Sequence, residues 1–314
     1  MCTAISYQNG DTYFGRNLDL ERGYGEKVVI TPRGFEFRYR CMDAATSRYG
    51  MIGMAVATEG VPLYFEATNE RGLSGAGLNF PGNAFYPEYR QGKDNVAPFE
   101  FIPWILGQCT SVDEAKAQME KLNLVNVSFS KELQVSPLHW MFSDLEKSIA
   151  VESVREGLKI HDNPFQVLTN NPPFEYHQTR MSDYMGLTVG SLDMKFSREL
   201  PMENYSLGMG ALGLPGDFSS SSRFVRASFV KENSVSSKDE RSSVNQFFHI
   251  LDAVAMPRGC VWTENGYEYT RYSSCCNANR GIYYWKTYEN TVVRAVEMRE
   301  DDLSQKRLKI IEIS

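Results

Sequence analysis

Strands at both ends of the chain with helical blocks between them predict an α+β fold, two stacked antiparallel sheets with helices on their outer faces. Three observations carry this. The first part of the chain, up to Leu78, breaks into short strand-like runs separated by turn residues. Two middle blocks carry apolar residues at helical spacing, and the tail from Cys260 returns to strands. No internal repeat, low-complexity stretch or Pro/Gly/Ser-rich linker divides the sequence, so one domain is expected over residues 2–314.

Thr3–Gln8 and Thr12–Leu18 flank Asn9-Gly10, a pair that tolerates the positive φ of a type I′ turn, and so form a hairpin. Strands follow at Lys27–Thr31 (ended by Pro32), Glu36–Cys41, Met51–Ala57, Pro62–Ala67 and Leu73–Leu78. Phe99–Gln108 reads as a helix, and another opens at Ser111 with Glu114 three residues on, a capping box that satisfies orphan amides. Short strands return at His139–Phe142, Ile149–Ser153, Leu158–His161 and Phe165–Thr169. Helices are expected at Tyr176–Met185, Arg223–Lys231 and Val244–Ala255, the last stopped by Pro257. The tail holds strands at Cys260–Thr263, Gly266–Tyr272, Ile282–Tyr288, Thr291–Glu297 and Lys306–Ile313.

Composition narrows the function. The 33 basic and 39 acidic side chains leave a formal net charge of −6 with the signs interspersed, which excludes the basic stripe that nucleic acid or an anionic membrane selects. The chain turns polar within a few residues of Met1-Cys2, at Gln8, Asn9, Gly10 and Asp11, so no signal-peptide core is read, and the longest apolar run, Met51 to Ala57, is too short to span a bilayer. A cytoplasmic protein is expected. The six cysteines show no CxxC pair and no ligand spacing with the four histidines, so free thiols, mostly buried, and no metal are expected.

The amino terminus carries the chemistry. With Asn9-Gly10 as a two-residue turn, Cys2 lies opposite Asn17; a bulge at Gly15 sets Arg16 there instead. Either register returns Arg16 and Asp19 to the chain terminus. An α-amine titrates near ~8 and can activate a thiol on its own residue without a histidine. A neighbouring guanidinium favours thiolate, and a carboxylate can hold the amine.

These residues resemble the amino terminus of the bile salt hydrolases (choloylglycine hydrolases), relatives of penicillin V acylase. The resemblance runs through MCTAISYQNGDTYFGRNLDLE, VVITPRGF, GLSGAGLNFPG, LHWMFSD, VLTNNPPFEYH, ALGLPGDFSSSSRFVRASF and TRYSSCCNANRGIYYWKTYEN, nearly the whole chain in order. It implies a four-layer αββα sandwich of the N-terminal nucleophile hydrolases, a homotetramer without cofactor, and an active chain that begins at Cys2 once Met1 is removed. It implies that Cys2 is the nucleophile, Arg16 the arginine beside it and Asp19 the contact of the amine. Asn79 and Asn170 match the asparagines near the oxyanion, and Arg223 the second arginine of the site. Read without the resemblance, the two asparagines are ordinary turn residues and Arg223 an ordinary helix-start arginine. The implied substrate is a glycine- or taurine-conjugated bile salt, with Leu20, Tyr24, Phe65 and Leu133 as pocket residues.

Other signals fail on context. Gly208-Met209-Gly210-Ala211-Leu212-Gly213 fits the dinucleotide-binding string, but no clear strand precedes it and Pro215 follows where a helix should run. Asn126 and Asn204 head glycosylation strings that would be idle in the cytosol. Penicillin V acylase is the rival reading of the same chemistry, and Asn79 argues against it because that branch tends to carry tyrosine. A glutamine amidotransferase domain usually continues Met-Cys with Gly-Ile, where this chain has Thr3-Ala4. A non-catalytic steroid-binding module would not need all six site residues.

Overall fold

The computed structural model describes residues 1–193 and 195–313. In chain order the elements are β1 (Cys2–Asn9), β2 (Asp11–Leu20), β3 (Lys27–Thr31), β4 (Glu36–Phe37), β5 (Ala45–Thr46), β6 (Met51–Thr58), β7 (Val61–Asn69), β8 (Ser74–Asn79) and β9 (Asp94–Val96). Next come α1 (Phe101–Leu106), α2 (Val112–Met119), β10 (Leu122–Leu124), β11 (Leu138–Ser143), β12 (Ser148–Val154), β13 (Gly157–Asp162), β14 (Val167–Leu168) and α3 (Phe174–Arg180). The chain ends with α4 (Ser220–Glu232), α5 (Glu240–Asp252), β15 (Val261–Thr263), β16 (Gly266–Asn277), β17 (Ile282–Thr287), β18 (Arg294–Glu297), α6 (Glu300–Leu303) and β19 (Lys309–Glu312).

Two large antiparallel sheets result. One is ordered β14-β1-β2-β16-β17-β18 with β15 on β16; the other runs β13-β12-β11-β8-β7-β6-β3-β19. Helices α4 and α5 cover the outer face of the first sheet, and α1 covers that of the second, giving the four-layer αββα sandwich. One apolar cluster joins Phe14, Met54, Leu78 and Met141 between the sheets to Ile5 on the outer face of the first sheet and to Phe224, Phe247 and Leu251 of the outer helices. A second packs Val29, Trp140 and Val151 against Phe101, Ile105 and Val112. Strand alternation explains the division, because residues two apart in a strand share a face.

Several local expectations change. The hairpin pairs Cys2 with Leu18, Thr3 with Asn17 and Ala4 with Arg16, so neither Asn17 nor Arg16 lies opposite Cys2. A type I′ turn needs positive φ at both central residues, but here Gly10 (φ 82°) takes it and Asn9 stays in the strand. The Asn9 carboxamide is committed elsewhere, donating to Ser236 Oγ, Ser237 O and Ser243 Oγ. Gly15 makes no bulge with β1. It is required by β16, since a Cβ there would lie 2.0 Å from the Ser274 carbonyl oxygen. The Ser111 hydroxyl accepts from Glu114 N as expected, but Glu114 reaches back to Thr110 N rather than to Ser111. Cys109, Cys275 and Cys276 are buried, whereas Cys41 is half-buried and Cys260 exposed; all six thiols are free. The glycine string at 208–213 is a loop around a short 3₁₀ turn, Met209–Ala211.

Candidate active site

Cys2 opens β1, between β14 and β2 in the first sheet, and is 3% exposed. The observed register decides what it meets. Side chains alternate along a strand, so pairing Cys2 with Leu18 puts Arg16, two residues away, on the same face as Cys2. The expected pairing with Asn17 would have turned Arg16 to the other face.

Arg16 bridges the two sheets. Its Nη1 donates to Gly77 O of β8 at 2.6 Å and to Phe65 O of β7 at 3.1 Å, and its Nε lies 3.9 Å from the Glu66 carboxylate. Nη2 is buried without a partner among the described residues. Burial alone would lower the guanidinium pKa, but the negative potential of Cys2, then of Tyr272, Glu66 and Asp19, holds it above the ordinary value. The arginine therefore remains a fixed cation beside the thiol.

Asn170 ties three elements together. Its Oδ1 accepts from Cys2 N at 2.8 Å and from Arg223 Nη2 at 2.7 Å, which fixes the amide orientation, and Nδ2 donates to Asn79 O at 2.7 Å. One N–H of that nitrogen is left over. The backbone of Asn170 is held as firmly: its N–H donates to Ser220 Oγ at 2.8 Å and its carbonyl accepts from His177 Nε2 at 2.9 Å. Burial lowers the His177 pKa to about 4, so the ring is neutral at pH 7 and its Nε2 hydrogen is available for that bond. The preceding Thr169 carbonyl accepts from His139 Nε2 at 3.0 Å.

Arg223 is fully buried in the first turn of α4. Besides Asn170 it donates to Cys2 O, to Thr3 Oγ1 at 2.7 Å and to Phe218 O at 3.0 Å. Burial lowers its pKa, against the opposing pull of Asp19 and Cys2. The helix begins at Ser220 rather than at Arg223, because Asp217 accepts from Ser219 N at 2.9 Å and Ser222 Oγ at 2.6 Å just ahead of it. A carboxylate there also suits the positive end of the helix dipole.

Asp19 is buried beside the terminus. Its Oδ1 accepts from Thr270 Oγ1 at 2.6 Å, and its Oδ2 has no partner among the described residues. Met1 extends the hairpin by one pair: its ammonium donates to Asp19 O at 2.7 Å, its carbonyl accepts Asp19 N at 3.0 Å, and it pairs with Glu268. Burial lowers the pKa of that ammonium.

Cys2, Asn170 and Arg223 are thus hydrogen-bonded together, Asp19 reaches them through Met1, Arg16 shares the strand face of Cys2, and Asn79 joins through its carbonyl. The Asn79 side chain is half-buried, and no described residue hydrogen-bonds its amide. Among the pocket candidates, Leu20 and Phe65 are half-buried against the same apolar cluster, and the Phe65 carbonyl holds Arg16. Tyr24 is 42% exposed under the Arg22 guanidinium, and Leu133 sits in a separate loop bonded to Ser130. A cavity of about 870 Å³ lined by Phe35, Phe37, Tyr39, Val61 and Phe129 includes none of these ten residues. Among the described residues, no group of three His, Cys, Asp or Glu side chains could hold a metal ion. Sequence reasoning missed Thr3, Glu66, His177, Ser220 and Thr270. The one hint was polar residues within strands or a helix start that pack against apolar layers.

Comparison with known proteins identifies the family. Residues 2–311 match the family of linear amide C–N hydrolases, choloylglycine hydrolase family. A bile salt hydrolase/transferase of Lactiplantibacillus plantarum is 50% identical over 98% of this chain and 95% of its own. A conjugated bile acid hydrolase of Lactobacillus gasseri is 36% identical over 98% and 99%. The crystal structure of a mutant conjugated bile acid hydrolase from Clostridium perfringens superposes with a TM-score of 0.92 at 34% identity, covering 100% of this chain and 97% of that one. Penicillin V acylase from Agrobacterium tumefaciens shares the fold, with a TM-score of 0.77 at 23% identity over 100% and 92%. With a family match over nearly its full length and the αββα sandwich in place, the chain belongs to the choloylglycine hydrolase family of linear amide C–N hydrolases.

Proposed function

We propose that the protein hydrolyses the amide bond joining a bile acid to glycine or taurine, through a thioester on Cys2. The observation that carries the mechanism is the bond from Cys2 N to Asn170 Oδ1, in a region where Arg223, Arg16 and Asp19 are all fully buried. Loss of Met1 turns that nitrogen into an amine. It keeps Asn170 Oδ1 as acceptor, and the unpartnered Asp19 Oδ2 supplies a second.

The amine takes the thiol proton as Sγ attacks the amide carbonyl, with Arg16 stabilising the thiolate. The oxyanion is met by the Asn79 amide and the remaining N–H of Asn170 Nδ2; one such donor contributes about 3–4 kcal/mol to lowering the barrier. The ammonium then protonates the leaving glycine or taurine nitrogen, and water, activated by the same amine, hydrolyses the thioester. Leu20 and Phe65, with Tyr24 and Leu133 at the rim, receive the steroid. The bile-salt reading rests on the named activities of relatives at 50% and 36% identity, whereas the acylase likeness shows the fold.

The working enzyme is a cytoplasmic homotetramer of a single domain, without cofactor or metal. No helix among the described residues is long and apolar enough to cross a membrane. The stretch after α3 exposes Met185, Val189, Phe196, Tyr205, Leu207 and Leu212, an apolar surface that suits burial against a second copy. The deciding experiment is a release assay comparing glycocholate, taurocholate and penicillin V. Turnover of penicillin V alone would transfer the chain to the acylase reading.

A further inference from the structure

Between the two sheets lies a second buried carboxylate that the reaction does not use. Glu66, on β7, is 1% exposed. Its Oε1 accepts from Tyr283 Oη at 2.5 Å and Ser274 Oγ at 2.9 Å, and its Oε2 accepts from Tyr272 Oη at 2.7 Å. Ser274 Oγ already accepts the Arg16 N–H at 3.2 Å, so its own hydrogen is free to go to Glu66. Burial, and then the Glu66 charge, push both tyrosine hydroxyls well above their usual range, so they stay protonated donors. Three converging donors are what an ionised carboxylate requires, although burial raises its own pKa. The carboxylate makes no direct hydrogen bond to Arg16, whose Nη1 goes to the Phe65 and Gly77 carbonyls. It stands 3.9 Å from Nε as a counter-charge.

We propose that Glu66 is a positioning residue that acts through Arg16, offsetting the guanidinium charge and so setting the potential felt by the Cys2 thiol. This rests on Cys2 being the nucleophile. The other charged groups around Cys2 and the chain terminus are Asp19 on β2 with Glu21 just beyond it, Arg223 on α4, Glu268 on β16 and the terminal amine, and they are common to every variant considered. Removing the Glu66 charge leaves Arg16 uncompensated and stabilises the thiolate.

The test is the pH dependence of Cys2 alkylation by iodoacetamide, followed on the Cys2 peptide by mass spectrometry, beside glycocholate kinetics. Glu66→Gln should move the alkylation midpoint down by about one pH unit and lower kcat severalfold with KM nearly unchanged. Tyr283→Phe removes an inter-sheet tie but keeps the charge, so it should cost stability and leave the midpoint in place. If Glu66→Gln does not fold, Glu66→Asp withdraws the charge by one methylene and should shift the midpoint the same way by a few tenths of a unit. A folded Glu66→Gln, or Glu66→Asp in its place, with the wild-type midpoint would reduce Glu66 to a tie between sheets. If alkylated Cys2 still turned over glycocholate, the nucleophile assignment would fail first, and the role of Glu66 with it.

Discussion

Keeping a residue ahead of Cys2 tests the base directly. With Met1 in place the chain folds without conflict, because Met1 adds one more pair to the hairpin through its two bonds with Asp19. What changes is the chemistry of one atom. Cys2 N is then an amide nitrogen, donating to Asn170 Oδ1 at 2.8 Å and offering no lone pair to the thiol proton. The Met1 ammonium is no substitute, since it is a residue away and paired with Glu268. Nor is a histidine: His139 and His177 are spent on the Thr169 and Asn170 carbonyls. General-base assistance is typically worth about 10²–10⁴-fold, equivalent to roughly 3–5 kcal/mol of barrier. A chain with one extra alanine before Cys2, or with Met1 shown by intact mass to remain, should be folded by circular dichroism and slower on glycocholate by that factor. Normal turnover by a folded, blocked chain would refute an N-terminal nucleophile.

Three other outcomes are expected. Asn170→Asp keeps an acceptor for Cys2 N but loses the Nδ2 donor, so kcat on glycocholate should fall by about 10²–10³ with the fold retained; a loss below tenfold would remove Asn170 from the oxyanion site. Asn79→Tyr should lower bile salt turnover and raise the relative rate on penicillin V, and an unchanged ratio would show that Asn79 does not set acyl preference. His177 takes up its proton near pH 4 when folded and near ~6.5 when unfolded, so the unfolded state binds more protons in that window and stability falls by up to about 3 kcal/mol as pH drops through it. His177→Gln, compared with wild type in urea melts at pH 7 and pH 4.5, should lose less stability on acidification; equal losses would contradict a buried neutral ring.

What the sequence made legible follows from which signals are local. Lys27–Thr31 matches β3 in full, because a β-branched run closed by Pro32 needs no tertiary information. The hairpin register was not readable, since it depends on where the Asn9 carboxamide goes, and its partners lie more than two hundred residues away. The expected strand at Glu36–Cys41 keeps only Glu36–Phe37, paired to a two-residue partner too short to show a pattern. The six residues carried by the family resemblance do converge, yet their shared neighbours were invisible. Glu66 is an acid in an otherwise ordinary strand, and the tyrosines that satisfy it come from β16 and β17. Thr270 looks like any strand threonine until its hydroxyl is seen to accept Met256 N and donate to Asp19.

The charge arrangement itself argues for catalysis over mere folding. Arg16, Arg223, Asp19 and Glu66 are each at most 1% exposed, and burying even one unpaired charge costs several kcal/mol. A protein needing only a stable two-sheet core would be served as well by apolar side chains there. Two basic and two acidic side chains offset one another there, with Glu268 beside the terminal ammonium. Moving the thiol proton to the amine on the same residue creates an anion and a cation together and preserves that balance. The anion forms beside Arg16, and the cation forms at a nitrogen already bonded to Asn170 Oδ1 with Asp19 near it. In the proposed mechanism both new charges thus arise inside this buried cluster, whereas a histidine base would import charge from outside it.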